Sequence, residues 1–211
     1  MMNRPVLYNY DLNEDCYRVR LLASCIGLAI ELVGVDEYPG LEHMGPELLR
    51  LNPSGRLPIL TDGDLTLRHT EAILLHLAMR HDPEQRFIPD DEGQRAMMQD
   101  WLMFLARDLG AARVARAQAM LGQDAAASVA RAQARAGLRL MDDHLTRAGL
   151  GGQAFFVGAK ASVADLALFP AFALSRDYNV DHDEFPALRL WSRRVRGLSG
   201  FVTMPGIPDY H

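Results

Sequence analysis

A chain of 211 residues, 49% apolar and 23% charged, suffices for one large domain or two small ones and has the composition of a soluble globular protein. Its formal charge of −5 and the lack of a basic stripe argue against nucleic acid as a partner. No apolar run reaches the roughly 20 residues of a membrane span, and MMNRPVLYNY carries no signal-peptide apolar region, so a cytoplasmic protein is expected.

Residues 5–10 read as a first strand. Asn13 is a good helix N-cap, followed by Glu14 and Asp15 at the positive dipole end. Val19, Leu22, Ala23 and Ile26 form the apolar face of that helix, and Gly27 ends it. Cys16 and Cys25 fall on it nine residues apart, too far for a disulfide at about 1.5 Å rise per residue. No Cys/His cluster has metal spacing, so no metal site is expected. Residues 30–35 read as a second strand, and 36–50 as a loop with helical pieces. In LNPSGRLPIL (51–60), Pro58 cannot donate to a sheet ladder and so belongs at a strand mouth. There it either starts an edge strand or forms a cis Leu57–Pro58 bond that turns the Leu57 backbone outward. Asp62-Gly63 predicts a tight turn between 59–60 and 65–67. Thr70 then caps a helix over 71–80 with Ala72, Ile73, Leu77 and Ala78 on one face.

The order βαβ then ββα predicts a small mixed sheet covered by helices, forming a domain over 1–81. The polar stretch 82–91 carries two prolines and reads as a linker. Beyond it, 92–211 reads as all-helical, except for a short strand at 155–157. A long helical stretch over 92–121 holds Met97, Trp101, Phe104 and Leu105 in register, with a bend at Gly110. A second runs from Asp124 to Ala148. Ser162 and Asp165 form a capping box ahead of an apolar helix over 164–174, and Phe185-Pro186 opens a last helix with Leu188, Trp191 and Val195.

NPSGRLPIL, DGDLTL and the AILLHLA helix resemble the cytosolic glutathione transferases. So do VLYNYDLNEDCYRVRLLASCIGL upstream and ASVADLALFPAF and FPALRLWSRRV downstream, in the family's order over nearly the whole chain. The resemblance implies an α/β thioredoxin-like N-terminal domain, an all-α helical-bundle C-terminal domain, and a homodimer. It implies glutathione as co-substrate and a small hydrophobic electrophile. The glutathione-binding residues it carries over are Leu57 and Pro58 beside the cysteinyl part and His43 and Arg56 towards the glycine end. His69-Thr70 falls at the γ-glutamyl group. Thr70 keeps the hydroxyl of the family's acid-Ser pair, whereas His69 replaces the acid; a neutral imidazole only accepts a hydrogen bond from the ligand's ammonium there. Asn13 stands where the family has Ser or Cys. It cannot act as a base, but its amide can donate to a thiolate beside the helix N-terminus, with Glu14 and Asp15 opposing. Tyr8 or Tyr10 is the alternative donor. Cys16 stands at the second position of a C-x-x-C motif that lacks its first cysteine, so it reads as a packing residue. Trp101, Phe104, Arg107 and Asp108 are the expected lining of the hydrophobic site, with core packing the competing reading for Trp101. His76, His81, His144 and His182 receive no role. Two functions follow: an enzyme that conjugates glutathione to an electrophile or reduces it, or a scaffold that kept the fold and lost the chemistry, as Asn13 and His69 suggest.

Overall fold

The computed structural model describes residues 4–123 and 127–207; Asp124, where the second long helix was expected to begin, lies outside them. Leu7 sits at the centre of the first half, fully buried on β1 (Val6–Asn9). It is flanked by Leu32 of the parallel β2 (Glu31–Gly34) and by Leu60 of the antiparallel β3 (Ile59–Asp62). β4 (Leu65–Leu67) completes a four-stranded sheet of order β2-β1-β3-β4. The two residues between the last strand pair are Gly63 and Asp64, so Asp62 is the final residue of β3 and not a turn residue. Gly63, at φ +60, supplies the conformation that such a hairpin needs. α1 (Glu14–Cys25) and α3 (Thr70–Arg80) pack against each other, burying Leu21, Leu22, Ile73 and Leu77. The short α2 (Pro46–Leu51) lies in the loop between β2 and β3. His69, not Thr70, is the N-cap residue of α3, and Thr70 is its first helical residue.

The second half is helical: α4 (Glu92–Arg107), α5 (Gly110–Met120), α6 (Ala127–Leu150), α7 (Val163–Ala173) and α8 (Pro186–Arg196). The expected single helix over 92–121 is two helices. Asp108 N and Leu109 N both donate to Phe104 O, which closes α4 at Arg107, two residues short of Gly110 where α5 opens. The expected strand at 155–157 is one isolated bridge between Phe155 and Gly158. Every residue of α7 is buried, and α7 packs against α1 and α3 as well as α4 and α8. It is the joint between the halves. Among the described residues, no helix is long and apolar enough to cross a membrane.

Candidate functional site

The loop ahead of β3 is pinned by Asn52, which is nearly buried. Its Nδ2 donates to Arg56 O at 2.8 Å, and its Oδ1 accepts from Ser54 Oγ at 2.8 Å. Gly55, at φ +60, lies so close to Met44 Sδ that a side chain would collide with it. These contacts hold Arg56 and Leu57 in place, and the Leu57–Pro58 bond is cis. Thr70, 6% exposed, stands at the N-terminus of α3, where no side chain caps the first amides. Together with Ser54, Arg56, Leu57, Arg68 and His69 it lines a cavity of about 210 Å³ whose opposite wall is Leu105, Ala106, Leu109 and Arg113. Its charged lining is mixed, with Arg18, Arg56, Arg68 and Arg113 set among Glu14, Asp15 and Glu71, and the free amides at the start of α3 add the donors that suit a carboxylate.

At the other helix start, Asn13 Oδ1 accepts from Asp15 N at 2.9 Å and Cys16 N at 3.1 Å. Its Nδ2 donates to Glu37 Oε2 at 2.8 Å, which leaves the second hydrogen of that amide for another acceptor. Glu14 and Asp15 are not loose anions. Buried Arg18 donates to Asp15 Oδ1 at 2.7 Å and approaches Glu14 Oε1 at 3.4 Å, and Arg113 reaches Asp15 Oδ2 at 3.0 Å. Their opposition to a thiolate is therefore reduced. Asn13 and Tyr10 open onto a second, more apolar cavity of about 450 Å³, lined also by Leu12, Tyr38, Val114, Met120 and Leu121. Arg56, Leu57, Glu14 and Arg113 border both cavities. The arrangement is a polar pocket that leads past a fixed amide into an apolar one.

The Tyr10 phenol, which donates to Tyr38 O at 3.3 Å, is pushed up by burial and by Asp36, Glu37 and Asp11, so it stays protonated at neutral pH. Burial pushes the Cys16 thiol up to about 12, leaving it inert.

Two stretches match family descriptions: residues 5–79 the N-terminal domain and residues 107–194 the C-terminal domain of glutathione S-transferase. Glutathione S-transferase 1 of Dianthus caryophyllus is 30% identical over 87% of this chain and 83% of its own length. The chain belongs to the glutathione S-transferase family. Another relative is maleylacetoacetate isomerase of Rhizobium meliloti (strain 1021), 31% identical over 95% of each chain. Among solved structures, a possible glutathione S-transferase from Rhodopseudomonas palustris superposes with a TM-score of 0.85 at 27% identity, covering 99% of this chain and 93% of that one.

Not all the expected site residues meet in this family member. Trp101, Phe104, Arg107 and Asp108 line neither cavity. Trp101 packs edge-on against Phe104, His144 and Phe156, because its side of α4 faces the helical core. Arg107 and Asp108 are exposed at the end of α4, and the apolar wall comes from α5, one helix later. Tyr8 packs with Tyr10 against Cys16, Val35, Leu57 and Ile59, but only Tyr10 reaches the cavity. His43 borders neither cavity; its ring lies 6.3 Å from that of Tyr38. Arg113 borders both. No local pattern marks it, since its partner Asp15 is 98 residues away. Arg18 had a visible signal, three and four residues after two acids.

Proposed function

We propose that the protein is a glutathione-dependent transferase that activates the tripeptide thiol without a side-chain hydroxyl at position 13. The supporting observation is the shared wall of the two cavities: a polar pocket at the start of α3 and a more apolar chamber at Asn13 have Glu14, Arg56, Leu57 and Arg113 in common. In this reading the γ-glutamyl carboxylate meets Thr70 and the α3 amides, the cysteinyl part pairs with the Leu57 backbone, and the glycine end lies towards Arg56. Glu37 orients Asn13, whose second amide hydrogen donates to the thiolate, and Arg113 adds positive charge nearby. Tyr38, Val114, Met120 and Leu121 receive a small hydrophobic electrophile. Catalysis is thiolate stabilisation plus proximity. A homodimer belongs to the same reading, with exposed Met79 of α3 and Met97 and Met103 of α4 as apolar surface for a second copy. Sedimentation at micromolar concentration should show a dimer, and a monomer there removes that part.

The test is the thiolate absorbance of bound glutathione against pH. The parent should show a lowered thiol pKa, and Asn13→Ala should raise it by roughly one to two units, the worth of one donor to a charged group. If Tyr10→Phe has that effect and Asn13→Ala does not, the donor is the phenol. The commitment of one Asn13 hydrogen to Glu37 supports a second reading, a glutathione-binding scaffold. Tight binding with an unshifted thiol would select it, and the absence of binding at millimolar glutathione would overturn the ligand assignment as well.

A further inference from the structure

At the opposite end of α3 from the ligand cavity, three side chains converge that the proposed reaction does not use. Nε2 of His76 and Nε2 of His81 each donate to the same atom, Asp62 Oδ2, at 2.7 Å. One ligating atom from each of the three residues lies within 4.8 Å of the other two. We propose that Asp62, His76 and His81 form a binding site for a divalent transition metal ion of the zinc class, clipping the β3–β4 hairpin to the C-terminal end of α3.

The chemistry of the donors selects the ion. Two imidazole nitrogens and a carboxylate suit zinc, cobalt or nickel, whereas calcium and magnesium take oxygen ligands. Tetrahedral ligands on bonds of about 2.0 to 2.1 Å lie roughly 3.3 Å apart. The hydrogen-bonded atoms therefore need to open by only about half an ångström for an ion to enter. The imidazoles coordinate in their neutral form by moving their protons from Nε2 to Nδ1, so binding requires no buried charge to be created on them. Side-chain exposures of 15% for Asp62, 21% for His76 and 16% for His81 leave the cluster reachable from solvent, with water to complete the coordination.

The ligands are carried on ordered backbone. Asp62 is paired with Leu65 across the hairpin, and the His81 amide donates to Leu77 O at 2.9 Å. A spacing of five residues along an ideal helix would place His76 and His81 on different faces. They meet because His81 is the C-cap residue, at φ −114 and ψ −1, where the chain has left the helix. For that reason the sequence spacing hides the site.

The experiment uses the full chain without a histidine tag, freed of metal by chelation. Addition of Co²⁺ should give the visible d–d absorption of a four-coordinate ion. Addition of Zn²⁺ at a hundredfold excess over its Kd should raise the thermal midpoint by roughly 5 °C. His76→Gln and His81→Gln keep an N–H donor for Asp62 and should retain the parent's circular dichroism while losing both responses. A parent with neither cobalt absorption nor a zinc-dependent midpoint overturns the proposal, as does an undiminished response in folded glutamine variants. Because the readouts are spectroscopic and thermal, neither outcome depends on glutathione binding.

Discussion

His182 is 5% exposed, its ring stacked on Phe172 at 4.2 Å between centroids and its Nε2 3.1 Å from Ser175 Oγ. Burial, with Arg176 nearby, depresses its pKa to about 4. In the unfolded chain the imidazole takes a proton below about 6.5. Between those values the unfolded state binds more protons than the native one, so stability falls as pH is lowered through that window, by about 1.4 kcal/mol per pH unit at most. Above the unfolded value the contribution is flat. The urea midpoint of the parent should therefore fall relative to that of His182→Phe as pH drops from about 7 to about 4, because the variant has no proton to gain there. Parallel profiles would refute the assignment. Asn13 teaches a related lesson at this scale. Its identity at a helix start was sufficient to read a cap, and the cap is present, but the orientation of its amide is set by Glu37, 24 residues away.

The Ser162–Asp165 turn was legible from sequence as a cap, and its geometry extends further. Asp165 accepts from Ser162 N and Ser162 Oγ at 2.8 and 2.9 Å, and also from Phe156 N at 3.0 Å and Trp191 Nε1 at 2.8 Å. One fully buried carboxylate thus joins the start of α7 to the preceding loop and to α8. An ordinary cap is worth about 0.5–2 kcal/mol. Here Asp165→Ala also strands buried donors, each at about 1–3 kcal/mol, so a loss of about 3 kcal/mol or more is expected in urea unfolding. Glutathione affinity of the folded fraction should not change, since Asp165 borders neither cavity. A loss of no more than about 1 kcal/mol would mean that the network contributes nothing beyond the cap.

Two buried arginines hold the halves of the molecule in register. Arg18 of α1 donates from Nε to Ala167 O of α7 at 2.6 Å while pairing with Glu14 and Asp15. Arg116 of α5 donates to Leu12 O at 2.8 Å and pairs with Asp177 at 2.7 Å. Arg18→Met keeps much of the volume but leaves buried Glu14 without its cation, and removing one partner of a buried pair costs about 3–5 kcal/mol. Adding Glu14→Gln should recover part of that loss, as a double-mutant cycle on urea unfolding would show. Purely additive losses would deny the coupling. Because the cavities lie across this same junction, the single variant should also weaken glutathione binding.

Local rules were enough for the order of elements in the first half and for α7 and α8, but not for the break between α4 and α5 or for the lone bridge at Phe155. Alternation, caps, the Gly63 turn and the apolar run of α7 mark strands and helices through contacts within a few residues, and those contacts are written in the sequence. Arg56, Leu57 and Thr70, singled out by the resemblance to the glutathione transferases, line one polar cavity and lie within one short stretch of the chain. Tertiary structure decided what a period cannot encode. A helical repeat identifies an apolar face but not the neighbour that covers it. Trp101 therefore packs in the core, while Val114 and Met120 face the cavity. Arg113 meets Asp15, and Asp62 comes to lie between His76 and His81, only because distant segments are folded together.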